Sequence, residues 1–269
     1  MILIAGLYRL LIELTNGRLS SIFLQRFATS GISRFIIPLF AKAYRLNLSE
    51  TEKALHEFTT LHELFIRRLK KGVRPIDSDT LSVTSPVDGI IEDVGTISAT
   101  NEIMVKGKSY SIAEMIGKKE ALGKYLGGTY MIIYLSPSHY HRIHSPVSGE
   151  IVDQWTLGKK SYPVNKWGLK YGRGVLSKNF RRISEIKHPH GHLAVVKVGA
   201  MFVNSIEIVH EGGKIAKGDE LAYFTFGSTV VLLFEKDTFT PDETLKIPAN
   251  VLVGQKLGKI GVCKTVKKK

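Results

Sequence analysis

The chain has 269 residues and a mass of 29.9 kDa, enough for one or two domains around a substantial core, which excludes a disordered tail or a disulfide-stapled miniprotein. Its 38 Lys and Arg against 24 Asp and Glu leave a net charge of +14, so an anionic partner is expected: nucleic acid, acidic phospholipid or a charged substrate. The one cysteine, Cys263, excludes an intramolecular disulfide and a multi-cysteine zinc or iron–sulfur site, and suits a reducing compartment.

In chain order, Met1 to Leu14 is apolar, but Arg9 and Glu13 interrupt it far short of the roughly 20 residues a spanning helix needs. No basic n-region or clean cleavage site marks a secretory signal, so the chain is expected in the cytosol or on a membrane facing it. Up to about residue 72 the apolar residues (Ile22, Phe23 and Phe27, then Leu61, Leu64, Phe65 and Leu69) recur at helical spacing. Arg9, Arg18, Arg26 and Arg34 flank the early stripes. Such amphipathic helices pack on the protein's own core or lie on an anionic bilayer, and both readings stay open for different helices.

After Gly72-Val-Arg-Pro-Ile-Asp77 the texture changes to short β-branched runs at Gly89-Ile-Ile, Tyr130 to Leu135, Leu193 to Val198 and Val230 to Phe234, which read as strands. The shift near residue 76 divides the chain into a helical, membrane-associating region, 1–76, and a β-rich domain, 77–269. Within the latter, Ser85-Pro-Val-Asp-Gly-Ile-Ile-Glu-Asp93 is echoed by Ser145-Pro-Val-Ser-Gly-Glu-Ile-Val-Asp153. Lys217-Gly-Asp-Glu-Leu221 is echoed more weakly by Val253-Gly-Gln-Lys-Leu257. The expected class is α+β: N-terminal amphipathic helices followed by a β sandwich or barrel with lipoyl-like repeated hairpins. The residue after Pro-Val is Asp88 in one copy and Ser148 in the other. A turn accepts either, which points to a task for Asp88 beyond the turn.

Three segments carry candidate chemistry: Asp88, the stretch His139-Tyr-His-Arg-Ile-His144, and Phe226-Gly-Ser-Thr-Val230 entering an apolar strand. A metal held by His139, His141 and His144 is disfavoured, since neither strand nor helical spacing puts all three on one face. A nucleophile reading has its parts in Ser228, a histidine of the 141–144 stretch and Asp88. The Gly-x-Ser-x-Gly elbow of many serine hydrolases is missing; Ser228 instead follows Gly227, whose unhindered backbone brings the hydroxyl near its own upstream carbonyl. Between Lys159 and Lys187, cations interleave with Tyr162, Trp167, Tyr171 and Phe180 against the one acidic Glu185, a composition suited to a phospholipid interface. No nucleic-acid module pattern accompanies it.

With these residues in place, the sequence resembles the phosphatidylserine decarboxylases, pyruvoyl-dependent enzymes that make their cofactor from a backbone serine. Phe65-Ile-Arg-Arg-Leu69 with Arg74-Pro75, Ser85 to Gly89, Leu135 to Pro146, Val198-Gly-Ala200 with Asn204-Ser-Ile206, and Phe226 to Thr229 carry the likeness over nearly the whole chain. Phe226 stands where Leu or Gly is common, and His139, given no role, stands where Asp is frequent. The resemblance implies that His144 takes the proton of Ser228 while Asp88 holds its tautomer, that the Ser228 oxygen attacks the Gly227 carbonyl, and that elimination and hydrolysis leave a covalent pyruvoyl group at residue 228. It implies a heterodimer of chains 1–227 and 228–269, with higher oligomers left open, which decarboxylates phosphatidylserine to phosphatidylethanolamine. His141 would return the proton after CO2 leaves. No metal or nucleic acid takes part, and the expected place is the cytoplasmic face of the cell membrane, peripherally bound. A noncatalytic lipoyl-like module and a serine hydrolase are the competing readings.

Overall fold

A computed structural model describes residues 18–100, 102–105, 107–159, 162, 174–199, 206–225 and 228–261. The first apolar run, most of the basic aromatic stretch, Asn204, Ser205, Phe226, Gly227 and Cys263 lie outside the described residues.

The N-terminal part is built of short pieces. Helix α1 (Arg18–Thr29), a 3₁₀ turn (Gly31–Ile36), α2 (Ile37–Ala43) and α3 (Leu61–Phe65) bury Ile37, Ala41, Leu46, Phe58, Leu61 and Leu64 in one cluster. Between α2 and α3 the side chains of Asn47 and Thr51 bond their own neighbouring backbone, which competes with helix and leaves only 3₁₀ turns. Helix α3 starts on Thr60, whose hydroxyl accepts from Glu63 N–H. It stops at Phe65, short of Leu69, because the next residues pair with an earlier segment: Glu52 N–H bonds Arg68 C=O and Lys70 N–H bonds Glu50 C=O.

The strands run β1 (Ser82–Thr84), β2 (Gly89–Thr96), β3 (Glu102–Val105), β4 (Lys108–Ser111), β5 (Thr129–Leu135), β6 (Arg142–His144), β7 (Gly149–Leu157) and β8 (Arg181–His188). They continue with β9 (Gly191–Gly199), β10 (Ile206–Ile208), β11 (Gly213–Ile215), β12 (Glu220–Phe224), β13 (Ser228–Phe234), β14 (Phe239–Pro241), β15 (Ala249–Val251) and β16 (Lys256–Ile260). The four β-branched runs expected as strands fall in β2, β5, β9 and β13. Helices α4 (Ile112–Ile116) and α5 (Lys119–Tyr125) interrupt the β region unforeseen. Gly117, at φ +66°, ends α4 in the left-handed conformation that favours glycine.

An antiparallel sheet in the order β11-β7-β8-β9-β13-β5-β2-β15 forms the central layer. Side chains alternate across its strands, and the central strands β13, β9 and β5 are apolar on both faces. One face, with Val195, Val230, Leu232 and Phe234, packs on the small sheets β10-β12-β6 and β1-β16-β14 through Ile143, Ile206, Leu221, Phe224 and Leu257. The other, with Val196, Val198, Val231 and Leu233, is covered by α4, α5, the β3-β4 hairpin and α6 (Val175–Lys178). The result is a β sandwich in an α+β protein, as expected.

The sequence repeat is a structural repeat. Ser85 Oγ donates to Val87 C=O at 2.6 Å and Ser145 Oγ to Val147 C=O at 2.7 Å; both valines are buried, and Gly89 and Gly149 open β2 and β7. A Cβ on either glycine would strike a carbonyl of the neighbouring strand, Tyr134 O at 2.7 Å or Lys187 O at 2.3 Å. Even the bulge recurs, between Ile91 and Asp93 and between Ile151 and Asp153. The copies also clasp each other: Thr84 N–H bonds Pro146 C=O and His144 N–H bonds Pro86 C=O.

Candidate active site

Each half of the repeat supplies one part of the site. Asp88 sits at the variable turn position of the first copy, 3% exposed. Its Oδ1 accepts Val253 N–H at 2.9 Å. The Arg74 guanidinium closes on both oxygens, with Nη2 at 2.6 Å from Oδ2 and Nε at 2.9 Å from Oδ1. Arg74 also reaches Glu50 Oε2 at 2.8 Å. Burial works against the charge on Arg74, but the bonds to Asp88 and Glu50 outweigh it and raise its pKa above the ordinary guanidinium value.

His144 comes from the second copy. Its Nδ1 lies 2.7 Å from Gly218 C=O, and since a carbonyl only accepts, Nδ1 carries the proton and Nε2 the lone pair. Nε2 faces the Tyr140 hydroxyl at 3.4 Å, with the two rings stacked. The Asp88–His144 hydrogen bond expected from the sequence is not formed. The tautomer is set by the Gly218 carbonyl, because Asp88 is already committed to Arg74 and Val253; Asp88 acts on His144 only through its charge. Burial pushes the His144 pKa below the imidazole norm, while Gly218, Glu220 and Asp88 favour the proton and Arg142 opposes it.

His141 is fully buried, with its ring 3.9 Å from that of Phe65. Its Nδ1–H donates to His139 C=O at 2.9 Å, which leaves the lone pair on Nε2, a buried atom with no hydrogen-bond partner. Burial and the Arg67 charge push its pKa well below the usual value, so it is neutral. His139 serves the turn: its Nδ1 accepts Ser136 N–H at 2.9 Å.

Ser228 opens β13, the strand between β9 and β5, paired with Gly199 on one side and Leu135 on the other. Alternation puts its side chain with Val230 and Leu232 on the face that meets the β6 and β12 layer, and turns Thr229 to the opposite face. Ser228 is fully buried, and its Oγ has no hydrogen-bond partner among the described residues. A buried hydroxyl left unsatisfied costs about 1–3 kcal/mol, which a fold retains where the group has work to do. The strand end is connected to the histidine stretch, because Phe224 N–H bonds His141 C=O only four residues upstream.

Two contributors escaped sequence reasoning. Arg74 stood in a motif without a role, and nothing local announced that it would clamp a carboxylate 14 positions on. Gly218 gave a turn signal but no hint that its carbonyl would fix a histidine 74 positions away.

The fold is a β sandwich with a buried serine at a strand start, its hydroxyl unsatisfied among the described residues, and two histidines on the segment that leads into the layer packed against it. The model of the phosphatidylserine decarboxylase family matches residues 61–259. The chain is 58% identical over 252 residues to a phosphatidylserine decarboxylase proenzyme of Geobacillus sp. (strain WCH70), covering 94% of this chain and 97% of that one. It is 58% identical over 256 residues to the proenzyme of Anoxybacillus flavithermus (strain DSM 21510 / WK1), covering 95% and 97%, and 55% identical over 251 residues to that of Bacillus cereus (strain ATCC 10987 / NRS 248), covering 93% and 96%. The chain belongs to the phosphatidylserine decarboxylase family.

Proposed function

We propose that this protein cleaves itself between Gly227 and Ser228 and then decarboxylates phosphatidylserine to phosphatidylethanolamine, using a pyruvoyl group derived from Ser228. Membership of a family whose relatives are named proenzymes supports the activity and the cleavage. The observation that carries the cofactor reading is the Ser228 hydroxyl: fully buried and without a hydrogen-bond partner among the described residues, it is a candidate nucleophile that none of them occupies. Its place fits a covalent carbonyl group at the start of the small chain, held by strands on both sides.

In the cleavage step, the Ser228 oxygen attacks the Gly227 carbonyl carbon as its proton passes to the lone pair of His144, Nε2, and the peptide link becomes an ester. The Gly218 carbonyl and the Asp88 charge favour the imidazolium that forms. Removal of the Cα proton of residue 228 expels the Gly227 carboxylate and leaves a dehydroalanine, whose imine tautomer takes up water and releases ammonia to give the pyruvoyl end. That group supplies an electron sink for the pair freed when CO2 departs. His141, whose free Nε2 can take up the proton that the substrate ammonium sheds on binding, is the group assigned to returning that proton to the product carbon.

The N-terminal helices fit a bilayer surface. Phe35 is 85% exposed, Phe23 75%, and Ile32 and Leu39 69% each, with Arg26, Arg34 and Lys42 among them. No helix among the described residues is long and apolar enough to cross a membrane. The exposed apolar and basic residues support the reading of peripheral docking on an anionic bilayer, here assigned to the cytoplasmic face of the cell membrane.

Intact-mass measurement tests the reading. Chains of residues 1–227 and 228–269, the smaller with a blocked, borohydride-reducible N-terminus, are expected from the wild type, and one chain of 29.9 kDa from Ser228→Ala. A fully active wild-type protein running as one continuous chain overturns it.

A further inference from the structure

A cavity of about 230 Å³ lies between the α3 region and the histidine stretch, lined by Phe58, Arg67, Arg68 and Arg142 with Glu52, Lys53 and Glu63 toward the rim. Its cations are not equivalent. Arg142 is committed to Glu220 and to the Ile66 carbonyl, and Lys53 to Glu63. Arg67 is 5% exposed, yet among the described residues no carboxylate pairs with it. Its Nη2 donates to Ser138 C=O at 2.9 Å and His139 C=O at 3.1 Å, and its Nε is buried without a partner. Arg68, exposed at the mouth, has no hydrogen bond from its side chain to any described residue. A buried guanidinium that meets only carbonyls is an incomplete ion pair, costly unless an anion arrives.

We propose that this cavity is the phosphate subsite of the lipid headgroup, with Arg67 as the buried receptor and Arg68 at its entrance. The inference deepens the decarboxylase reading and rests on it. Position supports it. The carbonyls that Arg67 grips belong to a turn in which His139 N–H bonds Ser136 C=O, and that turn begins one residue after Leu135, the strand partner of Ser228. The anion site is thus one turn from the reacting residue. Phe58 also joins the cavity to the helical cluster of Ile37, Ala41, Leu61 and Leu64, whose helices carry the exposed Phe35 and Leu39.

The headgroup offers two anions, and chemistry chooses between them. A cation clamped on the carboxylate would stabilise the ground state whose charge must leave the carboxylate for the electron sink, and would slow decarboxylation. The phosphodiester keeps its charge throughout, so a guanidinium there binds substrate and transition state alike and appears in KM rather than kcat.

The test uses the mature two-chain protein and glycerophosphoethanolamine, a soluble diester with no carboxylate, titrated calorimetrically. Saturable binding to the wild type is expected, weakened about tenfold or more in Arg67→Met and severalfold in Arg68→Ala, with Arg67→Lys between. Arg68→Ala, which breaks no internal bond, guards against misfolding of Arg67→Met. With dispersed short-chain phosphatidylserine it should raise KM severalfold at nearly constant kcat. Diester binding unchanged in Arg68→Ala and Arg67→Lys overturns the proposal. So does inorganic phosphate binding as tightly as the diester, which would mark a site for free anions. The titration needs no turnover, so a wild type that binds the diester but releases no CO2 refutes the decarboxylase reading and leaves the anion site standing.

Discussion

The two copies of the Ser-Pro-Val-x-Gly turn share a skeleton down to the seryl bond, the opening glycine and the bulge, and differ in what stands at x. In both, x accepts the N–H of a residue in the second repeat: Asp88 from Val253 at 2.9 Å, Ser148 from Lys217 at 3.0 Å. The clasp around them is duplicated as well. Ser85 exchanges backbone bonds with Gln255 and Gly254 as Ser145 does with Asp219 and Gly218. The position that is Thr84 in the first copy is His144 in the second. A symmetric scaffold thus carries a carboxylate on one half and an imidazole on the other, and the cross-clasp brings the two halves together. Symmetry supplies rigidity, and its violation at two positions is where the proposed chemistry sits.

Making the copies alike should have the largest effect. Asp88→Ser strips Arg74 of its main partner and leaves a buried cation facing Glu50 alone, at a cost of about 3–5 kcal/mol, read as a drop in thermal midpoint together with loss of chain cleavage on a denaturing gel. The reverse change, Ser148→Asp, should cost under about 1 kcal/mol and leave cleavage intact, since the new carboxylate still accepts Lys217 N–H. If both variants cleave normally, the asymmetry has no chemical meaning.

The paired glycines offer a finer probe. Gly218 and Gly254, at φ +90° and +86°, hold equivalent turns. Alanine at either should destabilise by about 1–3 kcal/mol in denaturant titration. Gly254→Ala should be worse, because its Cβ would meet the Pro75 carbonyl oxygen at 2.4 Å, whereas at Gly218 it meets the Ile76 side chain at 2.8 Å.

A pH dependence belongs to the second copy, where His188 borders the groove beside Ser148 and Gly149. Burial, with the nearby His190 and His192, pushes the His188 pKa down to about 4. The folded state therefore refuses a proton that the unfolded chain accepts at about 6.5, so stability is full above that value and falls as pH drops from about 6.5 toward 4, by about 2–3 kcal/mol for this group. Melting curves of His188→Gln should show a shallower loss over that window; an unchanged slope would assign the acid sensitivity elsewhere. Ser148→Ala, which removes the acceptor for Lys217 N–H, should cost about 1 kcal/mol with cleavage unaffected.

Much of this was legible before any coordinates. Tyr130 to Leu135 and Val230 to Phe234 are strands because β-branched and aromatic runs bounded by turn residues have few other places to go, and the Ser-Pro-Val-x-Gly echo announced the repeat. The N-terminal stripe misled at Leu69, where backbone pairing with Thr51 displaced the helix. Helices α4 and α5, Ile112–Ile116 and Lys119–Tyr125, went unread because each spans under about two turns, too short for an apolar stripe to repeat. At the site, Asp88, His141, His144 and Ser228 were nameable from motif and residue type, whereas their connections were not.

Residue order was enough to settle local matters: which segments extend, where turns fall, which side chains are candidates for nucleophile, base or acid, and to which family the chain belongs. It was not enough to say that Asp88 answers to Arg74 and Val253, that Gly218 orients His144, or that Arg67 faces a cavity without a counterion. Those partners lie 14, 165 and 74 positions apart, or fail to exist at all. Long-range pairings are chosen by how sheets stack and which buried charges must be neutralised, and that choice is made only when the whole chain packs.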